Sequence, residues 1–395
     1  MKTKRSIFAL IMLLSFSTAA FCQSDDLRIF GYFQNNFMHE TVDISYPQSP
    51  VPSLFQSFKP NSFLMQQMNV FLQKDFGTQV SSFVNLQFTN SFSSSDDIGA
   101  LNIEEAWLKY SPSEELSVKF GLLVPRFNNF NEIKDRTVLL PYIFRPIAYE
   151  TAFSNLFNTQ DFVPLQAYLQ IYGYLPISGG LRVNYAAFMG NLSTDNLVKN
   201  NGSFGQIGND TTKFKMFGGR FGVDCGNLSL GVSGTYDRAN LWAYGIGYVP
   251  RTRFGAYLNY SVAGFELEGE YIKVHHILSD ANKATLLAEF MAELAQLPTN
   301  PTILLTPQSF EKKYEHINLL YNFTDKIFAY TGYDFLTTDD QELSMGGVHV
   351  VTVGGGYKFG DDIVVKAQYL NCKSKISNAI PVTTNAYLLA TSVYF

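Results

Sequence analysis

Cysteine is scarce in this 395-residue chain, which holds three: Cys22, Cys225 and Cys372. So few, so far apart, exclude a disulfide-stapled scaffold and lack the paired spacing of a zinc site. Charge is also thin. Asp, Glu, Lys and Arg make up 16% of the residues, against about 25% in soluble domains. The balance is 29 basic against 34 acidic residues, which argues against nucleic acid as a partner. Beyond the first residues no apolar run is long enough for a transmembrane helix. The five histidines are His39, His275, His276, His316 and His349. No metalloprotease helix, glycine-rich phosphate loop or nucleophile elbow accompanies them. No cofactor or metal is expected.

Aromatic residues are abundant, with 35 Phe and 23 Tyr. Mean hydropathy is −0.01. Many aromatics, few charges and no helical span fit a β-barrel whose strands are apolar on one face only.

Residues 1–22 read as a secretory signal peptide. Lys2, Lys4 and Arg5 are the basic start, Ile7 to Phe16 the apolar core, and Ser17 to Ala20 the small residues before cleavage at Gln23. A second reading makes Cys22 a lipidated residue, with Phe21 an unfavourable neighbour. Without the three basic residues of the signal, the remainder has 26 basic against 34 acidic residues, a net charge of −8. The chain ends in mid-pattern. Tyr387, Leu389, Thr391, Val393 and Phe395 alternate with Ala386, Leu388, Ala390, Ser392 and Tyr394. A closed barrel accommodates such an end because its last strand pairs with its first.

Period-two alternation between turn residues predicts sixteen strands in one domain, 23–395. They are expected near 27–38, 61–75, 78–92, 101–111, 115–127, 163–176, 180–190, 213–224, 227–238, 251–262, 264–275, 310–323, 325–337, 346–359, 361–374 and 384–395. Every second connection is a tight turn, such as Asp75-Phe76-Gly77, Cys225-Gly226 or Gly360-Asp361. The intervening ones are mostly long: 39–60, 93–100, 128–162, 191–212, 239–250, 276–309, 338–345 and 375–383. Short periplasmic turns alternating with long external loops mark a transmembrane antiparallel barrel. The topology puts Cys225 and Cys372 near opposite rims, so they are expected unbridged. A soluble all-β domain would not need an apolar face on every strand.

Alternation also assigns faces. Lys109, Lys119, Arg182, Arg220, Arg253, Glu266, Glu268, Glu270 and Lys366 fall on the inferred lumen face, with Arg28 and Glu105. An Arg or Lys facing lipid at mid-depth would cost roughly 2–4 kcal/mol, so these charges require a wet interior. Barrels of about sixteen strands leave an aqueous bore. Arg253 is expected to pair with the Glu266–Glu270 row on the next strand.

Several segments resemble the porin superfamily, most closely the phosphate-selective porin O/P type of Gram-negative outer membranes. These are Gly31-Tyr32-Phe33-Gln34, Glu105-Ala106-Trp107-Leu108-Lys109-Tyr110, and Lys119-Phe120-Gly121 leading to Pro125-Arg126-Phe127. The resemblance implies a homotrimer of sixteen-stranded channels in outer-membrane lipid, with the third long loop, 128–162, folded inward. Arg126, Lys134, Arg136 and Arg145 are then candidates for a constriction, where cations select anions. Glu132, Asp135, Glu150 and Asp161 balance them, so a phosphate-specific ladder is not evident. Residues 280–297 carry a helical pattern, with Asp280 as the expected cap and Pro298 after its end.

The function expected is passive diffusion of small hydrophilic solutes or ions through a water-filled barrel, with a mild anion preference. Two other readings stand beside it. One is a barrel enzyme of lipase or protease type, with His316 or the His275-His276 pair as base. The other is a hydrophobic-compound transporter with an apolar pocket inside.

Overall fold

The structure is a computed structural model. It describes residues 27–44, 61–89, 100–134, 136–149, 166–192, 197–200, 203–206, 212–240, 246–285, 288, 311–338, 347–376 and 380–395. The expected signal peptide lies outside these residues, as do 150–162 of the third long loop and most of 286–297.

Eighteen strands are present: β1 (Leu27–Ile44), β2 (Asn61–Phe76), β3 (Val80–Thr89), β4 (Ala100–Tyr110), β5 (Ser117–Leu123), β6 (Gln166–Pro176), β7 (Leu181–Asn191), β8 (Leu197–Asn200), β9 (Ser203–Gln206), β10 (Lys215–Cys225), β11 (Leu228–Asn240), β12 (Tyr248–Val262), β13 (Phe265–His276), β14 (Glu311–Asn322), β15 (Ile327–Thr338), β16 (Val348–Phe359), β17 (Ile363–Ile376) and β18 (Ile380–Tyr394). Sixteen of them close into one antiparallel barrel, as the alternation predicts. β8 and β9 form a separate two-stranded sheet within the 191–212 connection, which the sequence reading took as plain loop. The Asn201-Gly202 dipeptide between them was the missed hairpin signal.

The last strand seals the cylinder. The Gly31 amide donates to the Phe395 carbonyl (2.7 Å), and the Phe395 amide donates back to Gly31 (3.0 Å). That leaves no free sheet edge, the condition for a sheet to sit in lipid. At the long-loop rim some strands run further than expected, as β1 and β18 do, and others stop short, as β3 and β5 do. β1 continues to Ile44 because Glu40, Thr41 and Asp43 still pair with β18. Alternation lapses in that polar stretch before the ladder does.

The two faces separate as the period requires. On β12, Phe254 and Leu258 point outward while Arg251, Arg253 and Tyr257 are buried inside. The outer face carries large exposed apolar side chains on strand after strand, among them Phe120, Phe217, Val232, Val353 and Leu389. Among the described residues, no helix is long and apolar enough to cross a membrane. Cys225 is exposed, Cys372 is buried, and both are free thiols.

The bore is not uniformly wet. The inward faces of β14 to β17 include Tyr314, Tyr330, Leu336, Val348, Val350 and Leu370, all buried in one apolar cluster. The partner of that cluster is the third long loop.

Candidate functional site

After Leu123 the chain leaves the barrel wall and turns into the lumen. Residues 124–149 carry Phe127, Phe130, Val138, Ile143, Ile147 and Tyr149, each at most 1% exposed. Burying such side chains stabilises the inward position by about 1.5–3 kcal/mol for each large apolar group. The cost falls on the backbone, because a buried loop has no ladder to satisfy its peptide groups.

Lumen-facing side chains meet that demand. The Arg126 amide donates to Gln170 on β6 (2.8 Å) and the Asn128 amide to Ser233 on β11 (2.9 Å). The Asn129 and Phe130 amides share one Glu270 oxygen on β13 (2.9 and 2.7 Å). Those of Ile143 and Phe144 share Gln368 Oε1 on β17 (2.7 and 2.8 Å). The Ile147 amide reaches Asp334 on β15 (3.2 Å). In the other direction, Lys366 and Tyr394 donate to the Val138 carbonyl (2.9 and 2.7 Å). A β-bulge makes Gln66 the extra residue on β2, and Gln66 donates to the Ile143 carbonyl (3.1 Å); re-aiming a side chain is what bulges do. Gly255 lets the loop come close, since a Cβ there would lie 2.3 Å from Asn128 Oδ1.

The loop has two flanks. Its apolar flank lies against the β13–β18 and β1–β3 walls. Phe130 packs on Tyr149 (ring centroids 4.8 Å apart) and on the edge of His316, and Tyr142 packs on Tyr330. Val138 joins Tyr32, Phe71 and Phe83. Its charged flank faces β4 to β10. Arg126 pairs with Glu132 (3.3 Å) and stacks over Tyr172 (3.8 Å). Arg220 on β10 also reaches Glu132 (3.8 Å), and Arg136 reaches Glu105 on β4 (3.5 Å). Lys119 sits over the Trp107 indole (4.2 Å). Arg182 approaches Asp224 (3.8 Å). Lys119, Arg126, Arg136 and Arg220 therefore face Glu105 and Glu132, an excess of cations. Burial pushes the Glu132 carboxyl up, but Arg126, Arg220, Lys119 and Arg136 outweigh it and hold it below the ordinary carboxylate value.

The expected lumen charges take different roles. Of the four constriction candidates, Arg126 and Arg136 line the charged flank. Lys134 is 1% exposed and donates to the Asn131 carbonyl (3.2 Å), while Arg145 donates to the Lys134 carbonyl (2.7 Å). The expected pairing of Arg253 with the glutamate row does not occur. Register sets Arg253 opposite Val274, four residues from Glu270, and Arg253 pairs instead with Asp237 on β11 (3.2 Å) beside a bidentate Arg251 (2.8 and 2.6 Å). Glu270 anchors the loop, Glu268 faces His316 (3.5 Å), and Glu266 accepts from Asn322 (2.8 Å). Lys366 anchors the loop too.

His316 lies buried between Asp334 (3.1 Å) and Glu268 (3.5 Å), with Asn318 at 3.3 Å. Among the described residues no hydroxyl or thiol is hydrogen-bonded to its ring. The helix expected over 280–297 is present at 280–285, and its cap is Ser279 rather than Asp280. Ser279 Oγ accepts from the Asn282 amide (3.2 Å), whereas Asp280 is fully exposed beside Lys283 (3.8 Å).

No protein-family model matches the chain, and no curated protein matches it. Solved structures do match in fold. The outer membrane channel DcaP of Acinetobacter baumannii superposes with a TM-score of 0.57 at 11% identity, covering 94% of this chain and 97% of that one. An anion-selective porin from Comamonas acidovorans gives 0.58 at 11% identity, covering 93% and 99%. OmpT of Vibrio cholerae in its trimer form gives 0.50 at 13% identity, covering 94% and 100%. The sixteen-stranded barrel of this chain thus has the fold of outer-membrane porins.

Proposed function

We propose that the chain is an outer-membrane channel through which small hydrophilic solutes diffuse passively, with a mild preference for anions. The observation that carries this reading is the division of the bore. The loop's apolar flank fills the side toward β13–β18, and its charged flank faces the charged wall of β4–β10. There Glu132 and Arg136 keep side-chain exposures of 28% and 35% inside an otherwise buried interior. Water and ions reach this gap, and four cations against two carboxylates bias it toward anions.

The mixed charge favours small anions in general over phosphate in particular, because Glu105 and Glu132 share the gap. In this reading the channel works as a homotrimer with its short turns in the periplasm; the trimeric form of the Vibrio cholerae OmpT, which has the same fold, supports the assembly. The enzyme reading lacks a nucleophile at His316. In the transporter reading the apolar residues inside would line a pocket, yet here they pack against the loop.

Planar bilayers test the proposal. Ohmic single-channel steps and a reversal potential of anion sign in a KCl gradient are expected. A purified, folded barrel that stays silent at all voltages would overturn it.

A further inference from the structure

A second feature lies below the charged gap, at the short-turn rim. A cavity of about 580 Å³ opens there between the β4–β5 turn, β6 and the start of β7. Its size falls within the roughly 300–1,000 Å³ of small-molecule sites. Lys109, Arg182, Glu114, Ser111, Ser117 and Tyr174 are among its lining.

The lysine is the informative residue. Lys109 and Lys119 stand directly opposite each other on β4 and β5, both facing inward. Like charges in that position are destabilising. Lys119 has the Trp107 ring beneath it (4.2 Å). Lys109 has no ion pair and no side-chain hydrogen bond among the described residues, so its ammonium faces the cavity without a counter-ion.

The other groups sharpen the chemistry. Arg182 lies 3.8 Å from Asp224 Oδ2, beyond hydrogen-bond length, while Asn184 (3.1 Å) and Ser229 (2.6 Å) donate to the other oxygen, Oδ1. Tyr174 carries the Arg182 guanidinium over its ring (5.4 Å), and both residues line the cavity. Ser111 and Ser117 hydrogen-bond to each other (2.7 Å). One of those hydroxyls donates to the other and Ser117 also meets Tyr172, which leaves acceptor lone pairs for a guest's hydroxyls. Glu114 offers acceptor oxygens but opposes a second negative charge.

We infer that this cavity is a binding site for a polyhydroxylated monocarboxylate, the chemistry of a sugar acid. The carboxylate sits between Lys109 and Arg182, and the hydroxyl groups meet the serine pair and Glu114. Glu114 makes a phosphate dianion the poorer guest. The inference rests on the channel reading for how the solute arrives, while binding itself is independent of conduction.

The test is a titration of the purified full-length barrel in detergent at pH 7.5, followed by calorimetry and tryptophan fluorescence. The probes are glucuronate, glucose and inorganic phosphate. Saturable glucuronate binding is expected, with glucose and phosphate each at least tenfold weaker. Lys109→Ala should weaken glucuronate at least fivefold and Lys109→Arg should restore most of it. Glu114→Gln, a change on the exposed turn that leaves the strands untouched, should narrow the gap between glucuronate and phosphate. Equal binding of phosphate and glucuronate, or glucuronate binding indifferent to both Lys109→Ala and Glu114→Gln, overturns the site. A barrel that binds glucuronate without conducting refutes the channel alone. One that conducts without binding refutes this site alone.

Discussion

The Lys366 ammonium lies 2.9 Å from the carbonyl of Val138, tying β17 to a loop 228 residues earlier in the chain. The same ammonium donates to the Leu140 carbonyl and to Gln34 Oε1 (3.2 Å), so one side chain joins the loop to the barrel seam. Replacing it with methionine keeps the stem and removes every donor. Val138 keeps Tyr394 and Gln34 keeps Ser392, so the Leu140 carbonyl is the acceptor that loses its donor, at about 1–3 kcal/mol. Lys366→Met should therefore loosen the loop while the barrel stays closed. The expected readout is a larger mean conductance with noisier open states, at an unchanged β-sheet circular dichroism spectrum. Wild-type conductance and noise in this variant would show that the clamp is dispensable.

Selectivity should follow place, not charge count. Arg126 and Arg136 line the charged gap, whereas Lys134 is sealed against the Asn131 carbonyl. Arg126→Ala and Arg136→Ala should each move the reversal potential toward cations. Lys134→Met removes the same formal charge and should leave selectivity unchanged. If all three shift it equally, the conducting path does not run where the gap lies.

The barrel was legible because its rules are local. A period of two, tight turns at every second connection and charges confined to one face gave the strand count and the inward positions of Arg253, Glu270 and Lys366. The loop's seat was not legible, because its partners are distant and ordinary. Gln170, Ser233, Asp334 and Gln368 look like any polar lumen residue until the loop amides arrive, up to 225 residues away in sequence. One signal was available. Val348, Val350 and Leu370 point inward, and an apolar inner face on β16 and β17 requires something apolar inside. The Arg253 pairing failed on register, since a shared face does not fix which rung two residues occupy.

Acid should disturb the gap in a defined window. Glu132 is held below the ordinary value of 4.5 by Arg126, Arg220, Lys119 and Arg136. A depressed carboxyl contributes its stabilisation in full above the unfolded value and loses it as pH falls through the folded one. Glu132 should stay ionised from pH 7.5 down to about 4.5, and selectivity should shift toward anions below that as Glu132 is neutralised. Glu132→Gln should be more anion-selective at pH 7.5 and lack that part of the acid step. Glu105 and Asp224 remain in both proteins, so the comparison isolates Glu132. A Glu132→Gln protein that keeps the whole acid step would show that another carboxyl sets it.

The two thiols report orientation. Cys225 is exposed at the short-turn rim where β10 ends, and Cys372 is buried near the long-loop end of β17. If short turns face the periplasm, a membrane-impermeant maleimide too large for the channel should spare Cys225 in intact cells. The same reagent should label it once the outer membrane is permeabilised. Cys372 should resist in both cases until the protein is denatured, because its side chain is sealed in the cluster behind the loop. Cys225→Ser should abolish native labelling altogether. Rapid labelling of Cys225 on intact cells would invert the barrel and place the cavity at Lys109 on the outside.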